Sequence, residues 1–342
     1  PPPPSSLRCS AYPHSRYFPP LRTSFRVSQF GTLSSDFGVG LATDGNGTAV
    51  VVGYTSGSFP GYTNLGGTDA FLAHFDHQHG AALGTVQWGT AGNDYAEAAV
   101  FVPGSDELVV VGRTYGEIVG ETSAGGDDAF ILRIHLNGTQ RWARQFGSSS
   151  SEHAIDVVLN GAEDAFAVGY TYGALPGGGA YGNKDGFVTK YRKNGTVAWL
   201  RQFGTGGNDY AAAVVLDASE ESVYVAGGTM GMLGNEYYGG ADAFVMKLDA
   251  ASGTVDWVKQ FGSNESETVT CMARRPTDGW LFVGGYTKGR MGRYNVGGYD
   301  GFLAAISPDG FLMWTRQVGT AGDDYGQVRG ANLFTTIIIF YD

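Results

Sequence analysis

Residues 201–211 read R-Q-F-G-T-G-G-N-D-Y-A, residues 223–229 read V-Y-V-A-G-G-T, and residues 239–249 read G-G-A-D-A-F-V-M-K-L-D, with Trp257 following after a short turn. Most of the chain consists of copies of this unit. Its Q-Φ-G opening (Φ, apolar) recurs at Gln29, Gln87, Gln145, Gln202, Gln260 and Gln317, at intervals of 58, 58, 57, 58 and 57 residues. A fixed period of this length is the mark of a repeat architecture and takes precedence over any local reading. Five full copies (29–86, 87–144, 145–201, 202–259 and 260–316) are followed by a partial sixth over 317–342.

Within the fourth copy the spacing predicts four strands: A over 210–216, B over 222–227, C over 242–248 and D over 254–261. β-Branched and aromatic enrichment, lengths of five to eight, and bounding Gly/Asn/Asp clusters all favour strands. Asn-Gly at 137–138 and 194–195 and Asp-Gly at 309–310 are tight hairpin turns between C and D. Four meandering strands per copy, repeated radially, predict an all-β fold, a β-propeller of about 58-residue four-stranded blades, five complete plus a partial sixth. A parallel β-helix would want shorter repeats.

Strand A, with Ala96, Ala98 and Ala99 or Ala211, Ala212 and Ala213, is small enough for the crowded axis. Strand D carries the bulk, Trp142, Trp199, Trp257 and Trp314 lying four residues before Phe146, Phe203, Phe261 and Val318. The first copy departs from this, with Gly84 in the Trp place and Trp88 in the Phe place. Residues 1–21 read as a flexible Pro/Ser-rich leader, and residues 22–342 as the propeller. Residues 23–30 resemble a strand D without its blade, and 317–342 resemble strands A and B.

The chain of 342 residues carries 22 Lys+Arg against 33 Asp+Glu, a net charge of −11. That balance argues against nucleic acid or an anionic membrane surface as partner. No window approaches the roughly 20 apolar residues of a membrane span. Two cysteines, Cys9 and Cys271, exclude a disulfide framework. Fifty-five glycines, about twice the usual share, recur at fixed places in each copy and mark turns.

The unit Q-F-G-T-x-G-x-D-Y-A … V-Y-V-x-G-x-T-x-G … G-G-x-D-A-F-V-x-K-x-D … W resembles the SBBP-type β-propeller repeat family over residues 28–330. The resemblance implies a propeller of the kind often found in secreted or surface proteins, and no single activity. Residues 248–257 (L-D-A-A-S-G-T-V-D-W) also resemble the tryptophan-docking motif of quinoprotein dehydrogenase propellers, but in that form the motif occurs once and reads as a turn plus a strand.

In an A-B-C-D meander the D-to-A and B-to-C loops emerge on one face. The first loop places an acid five residues after each motif glycine: Asp36, Asp94, Glu152, Asp209, Glu267 and Asp324. The second ends in Asp69, Asp128, Asp185, Asp242 and Asp300. Two acids per blade suit either a cation ring, calcium being the ion that prefers oxygen ligands, or the stapling of turns through backbone N–H groups. The B-to-C loops are long and varied. Phe59, Ile118, Leu175, Leu233 and Met291 share one apolar place in them, while Tyr62, Tyr181, Tyr237, Tyr238 and Tyr294 are candidate binding residues for a glycan or protein. His74, Asp76, His77 and His79 lie together on the other face without a partner cluster. Sequons occur at Asn46, Asn137, Asn194 and Asn264. The expected function is a non-catalytic binding or scaffold module using the D-to-A and B-to-C loop face. The alternatives are a hydrolase or lyase in the axial funnel and a purely structural segment of a larger surface protein.

Overall fold

The computed structural model describes residues 28–342 other than 77, 119, 293, 294, 296, 328–338 and 342. The first blade is β1 (Asp36–Thr43), β2 (Thr48–Thr55), β3 (Asp69–Asp76) and β4 (Ala82–Trp88), and the second β5 (Asp94–Phe101), β6 (Glu107–Thr114), β7 (Asp128–His135) and β8 (Gln140–Phe146). The third is β9 (Glu152–Leu159), β10 (Ala165–Thr171), β11 (Asp185–Tyr191) and β12 (Val197–Phe203). The fourth is β13 (Asp209–Leu216), β14 (Ser222–Thr229), β15 (Asp242–Asp249) and β16 (Val255–Phe261), and the fifth β17 (Glu267–Arg274), β18 (Leu281–Thr287), β19 (Asp300–Ile306) and β20 (Leu312–Val318). Each set forms a four-stranded antiparallel sheet in sequence order. β21 (Tyr325–Gln327) pairs antiparallel with β22 (Ile339–Tyr341), in the places of strands A and B of a further blade. The fold is the β-propeller expected from the repeat, with strand boundaries within two residues of those read in the fourth copy.

Strand A of every full blade lines the axis, as its small residues require: β1, β5, β9, β13 and β17 together wall one central cavity. Each carries a bulge near its start, skipping Val39, Glu97, Ile155, Ala212 or Thr270 in the pairing with strand B. A glycine of strand B permits it. A Cβ on Gly53, Gly112, Gly169, Gly227 or Gly285 would sit 1.9 Å from the carbonyl oxygen of Phe37, Tyr95, His153, Tyr210 or Thr268 respectively. This close backbone approach is what a strand glycine at a bulge provides, and it recurs in every full blade.

A four-stranded sheet has two apolar faces and cannot cover either alone, so blades stack. The strand D aromatic of one blade packs on the strand C phenylalanine of the next: Phe146 on Phe187 at 5.5 Å and Phe203 on Phe244 at 5.6 Å, both edge-on. Phe30 fills the same place on the first blade, 6.0 Å from Phe71. The expected strand over 23–30 lies mostly outside the described residues, and residues 28–30 are not in a strand. The Pro/Ser-rich leader and Cys9 likewise lie outside them.

Three of the tryptophans pack outward in the same sense, each lying on the C-to-D turn glycine of the following blade. An added Cβ would come within 2.8 Å of Trp142 from Gly195, 2.8 Å of Trp199 from Gly253 and 3.0 Å of Trp257 from Gly310. The first blade breaks the pattern because His74, opposite Gly84 in the register, fills the space where the indole would lie. Val86 then meets Gly138 of the second blade.

Gly253 and Gly104 share a φ of +70°, but only Gly253 faces a neighbour, the Trp199 ring. Gly104→Ala is expected to cost only the left-handed strain, about 1 kcal/mol. Gly253→Ala should cost about 2 kcal/mol more through the displaced indole, read by urea unfolding. Equal losses would mean that the tryptophan does not couple the blades.

Candidate functional site

Both rings of acids are confined to the loop face, and their geometry shows what occupies them. The acid opening strand A accepts the backbone N–H of the residue four positions before it: Thr32 to Asp36 and Ser148 to Glu152 at 2.7 Å, Thr90 to Asp94 and Thr205 to Asp209 at 2.6 Å, Ser263 to Glu267 at 2.8 Å, Thr320 to Asp324 at 2.5 Å. In two blades the threonine ending strand B also donates, Thr171 to Glu152 and Thr287 to Glu267, each at 2.6 Å. The acid opening strand C accepts the amide of the motif glutamine: Gln87 to Asp69 at 2.9 Å, Gln145 to Asp128, Gln202 to Asp185 and Gln317 to Asp300 at 2.8 Å, Gln260 to Asp242 at 2.7 Å.

The same glutamine amide donates to a loop carbonyl, that of Gly57, Gly116, Gly173, Gly231 or Gly289. Its oxygen accepts the N–H of Phe59, Ile118, Leu175, Leu233 or Met291 at 2.9–3.0 Å. The apolar plug of each B-to-C loop is thus anchored by backbone as well as by burial. The two acid rings meet at the motif glycine: a Cβ on Gly147 would lie 2.1 Å from Asp128 Oδ1 and 2.5 Å from Glu152 Oε2. Burial pushes Asp94, Asp242 and Glu267 above their ordinary values. None of the eleven acids lines the axial cavity, and among the described residues no group of three or more His, Cys, Asp or Glu could hold a metal ion. One oxygen of each strand C acid thus holds the loop, while Oδ1 of Asp128 and of Asp242 is buried without a hydrogen-bond partner.

Of the loop tyrosines, Tyr181, Tyr237 and Tyr238 are exposed, whereas Tyr62 packs partly buried against the Phe59–Phe71 cluster. Tyr237 donates to the Gly240 carbonyl at 3.2 Å and Tyr238 to Glu236. Tyr294 lies outside the described residues. The structure does not bring the described four into one cluster. On the opposite face exposed His79 meets half-buried Asp76 through Nδ1 at 2.7 Å, while His77 lies outside the described residues. Asn46, Asn137 and Asn194 are exposed in hairpin turns of that face.

Sequence reasoning missed a second set of residues, each one position from a stapling residue. The residue after the strand A acid is Phe37, Tyr95, His153, Tyr210, Thr268 or Tyr325. The residue before the final threonine of strand B is Tyr54, Arg113, Tyr170, Gly228 or Tyr286, and the residue before the strand C acid is Thr68, Asp127, Lys184, Ala241 or Tyr299. The first two positions are cross-strand partners in every full blade. The third is brought against the next blade by a backbone hydrogen bond of 2.6–2.7 Å, from Asp94 N to Thr68 O and its equivalents at Glu152, Asp209, Glu267 and Asp324.

These side chains form a collar around the axis. Phe37 stacks on Tyr54 at 5.0 Å, Tyr54 meets Tyr95 edge-on at 4.8 Å, and the Arg113 guanidinium lies over Tyr95 at 4.2 Å. Lys184 reaches over Tyr170 at 4.0 Å and Tyr210 at 4.9 Å. Gly228 leaves room for the Tyr210 ring, which a Cβ would approach to 2.5 Å. Tyr286, Tyr299 and Tyr325 complete the series with centroids 5.0–5.5 Å apart. Below the collar lies a cavity of about 600 Å³, walled mainly by strand A residues such as Ala98, Ile155 and Ala212 and reached by Glu97, Tyr170, Lys184 and Tyr210.

The collar is most polar between the second and third blades. Arg113 Nη1 donates to Glu97 Oε1 and to His153 Nδ1, both at 3.1 Å, and Tyr170 Oη lies 2.6 Å from the same nitrogen. A guanidinium can only donate, so Nδ1 is an acceptor and the imidazole proton sits on Nε2. That nitrogen lies 2.7 Å from Oδ2 of Asp127, which is 1% exposed. Arg113 Nε stands 3.5 Å from the same oxygen. Neither contact is aligned as a hydrogen bond, so the Arg113 charge rather than direction holds Asp127 beside the neutral imidazole. Burial, then the Arg113 charge, pulls His153 down to about 4 against the opposing pull of Asp127. Burial also pushes Tyr170 up to about 12 and lowers Lys184.

A histidine kept neutral in the fold takes up its proton more readily in the unfolded chain, where it titrates near 6.5. Its contribution to stability is present at neutral pH and is lost as pH falls from about 6.5 toward 4. His153→Gln should therefore reduce the loss of unfolding free energy between about pH 7 and pH 4.5 by on the order of 2 kcal/mol. An unchanged difference between the two pH values would mean that His153 titrates as it does in solvent.

No family model matches the chain. It is 27% identical over 290 residues to the regulatory protein FlaEY of Caulobacter vibrioides, covering 75% of this chain and 30% of that protein. The chain thus spans about a third of the length of the curated relative that it matches. Among solved structures it is similar to a europium-containing methanol dehydrogenase, with a TM-score of 0.47 and 12% identity over 84% of this chain and 64% of the other. It is also similar to the β-propeller domain of the Trilobed protease from Pyrococcus furiosus, with a TM-score of 0.46 and 7% identity over 92% of this chain and 82% of the other.

Proposed function

We propose that this β-propeller is a non-catalytic recognition module that takes a glycan on its D-to-A and B-to-C loop face, at the mouth of the axial cavity. The observation that carries this reading is the collar. Aromatic rings alternate there with hydrogen-bonding side chains around a concave opening, the combination that accepts the apolar faces and hydroxyls of sugar rings. Phe37 and Tyr325 are 51% and 37% exposed, so aromatic surface is available at the mouth. The stapled loops supply a rigid frame, and the variable residues stand where variation on a scaffold serves binding. Exposed Tyr181, Tyr237 and Tyr238 stand on the surrounding loops as a second rank of contacts.

A hydrolase or lyase working in the funnel draws on one observation: the Asp127–His153–Tyr170 chain is confined to the second and third blades. In that reading the Tyr170 hydroxyl is the acid or base. The continuation of the aromatic residues into the other blades weighs toward binding.

Tyr54→Ala combined with Tyr286→Ala is expected to abolish glycan-array signals of the wild-type protein while leaving its melting transition cooperative. Tyr237→Ala with Tyr238→Ala should weaken them less. Signals that survive loss of the collar pair would remove the site from the axis. A silent array beside a protein partner lost on the same collar substitutions would replace the glycan by a protein.

A further inference from the structure

Among the described residues, the collar holds one cation with no carboxylate at ion-pair distance. Of the charged groups around the cavity, Glu97 is paired with Arg113 at 3.1 Å, and Asp127 is held between His153 and Arg113. Asp156 accepts the backbone N–H groups of Val157 and Val214, both at 2.9 Å. The Lys184 ammonium is different. Among the described residues no carboxylate lies within ion-pair distance of it; it rests against the faces of Tyr170 and Tyr210, and it lines the cavity. Those two hydroxyls are already engaged, that of Tyr170 with His153 Nδ1 and that of Tyr210 with the Val269 N–H at 3.1 Å. Three N–H donors on a cation at the wall of an apolar cavity call for an anionic acceptor.

From this cation we infer that the glycan taken at the collar carries a carboxylate, a uronic-acid type of sugar, whose charge pairs with Lys184 while its ring lies against the neighbouring aromatic side chains. The inference rests on the glycan reading above and names the sugar class. A single cation favours a monoanion. A phosphate monoester, nearly a dianion at neutral pH, would bring a second charge with no counter-ion among the residues that line the cavity. The strong overall acidity of the chain does not oppose this at contact distance, because exposed charges beyond about 8 Å are largely screened at physiological salt.

The test is calorimetric titration with glucuronate- and galacturonate-terminated trisaccharides and with their neutral methyl esters, against wild type, Lys184→Met and Lys184→Arg. For at least one of the two sugars the free acid should bind wild type at least tenfold more tightly than its ester. Lys184→Met should bring that acid down to the level of the ester, with Lys184→Arg retaining part of the preference. An ester that binds as well as its acid, or a preference that survives Lys184→Met in a protein that still melts cooperatively, would overturn the carboxylate assignment and leave the glycan reading standing. Wild-type protein that binds neither acid nor ester in this set, yet binds other neutral sugars, would also overturn the carboxylate alone. Binding of no sugar of any kind would overturn both.

Discussion

The primary carboxamide of one glutamine per blade, buried in four blades and half-buried in the fifth, holds the loop face together. Its nitrogen bridges an Asp carboxylate at the head of strand C and a glycine carbonyl at the end of strand B, and its oxygen receives the amide of the loop's apolar plug. A side chain with two donors and an acceptor is well suited to close such a loop. Each of the partners is buried or half-buried, so leaving any one unsatisfied costs more than the bond itself contributes. The Q-Φ-G motif therefore recurs for two local reasons. The glutamine satisfies three groups at once, and the glycine lets the carboxylates of strands C and A approach the same backbone.

That rigid frame makes the collar possible. The strand B glycine lets strand A press close at its bulge, the threonine two positions later faces the strand A acid, and the residue between them reaches the next blade as Tyr54, Arg113 or Tyr286. Fixed neighbours on either side free the middle residue to differ from blade to blade, so one architecture carries phenylalanine, tyrosine, arginine, histidine and lysine around a single opening. Interblade packing of Phe on Phe and Trp on glycine holds the sheets in register. The same packing turns each residue before strand C toward the next blade's strand A. The polar chain from Asp127 through His153 to Tyr170 crosses a blade boundary for this reason.

Much of this was legible in the sequence because the repeat reports every structural position several times over. Strand order, the axial place of the alanines, the shared place of Phe59, Leu175 and Met291, and the hairpin glycines follow from spacing and residue size. The break in the first copy was visible at Gly84, but its cause was not, since His74 becomes its neighbour only through the register of β3 and β4. The collar was illegible for a related reason. Periodicity draws attention to residues that recur, and the collar consists of the residues between them. The unmatched positions inside D-x-A, G-x-T and x-D-A-F were the available signal. That they converge depends on interblade contacts between residues far apart in sequence, such as Lys184 with Tyr210 and Asp127 with His153.

The most direct measurement of the glutamine staple is native-state amide hydrogen exchange at the plug residues Phe59, Ile118, Leu175, Leu233 and Met291, whose N–H groups bond to glutamine oxygens within loops. The expected result is protection comparable to the central ladders of strands B and C, since these amides should open only when a blade unfolds. Exchange as fast as that of the turn amides at Gly61, Gly104 and Gly177 would contradict it. The loop face would then be a set of independent mobile segments, with no fixed frame for the collar.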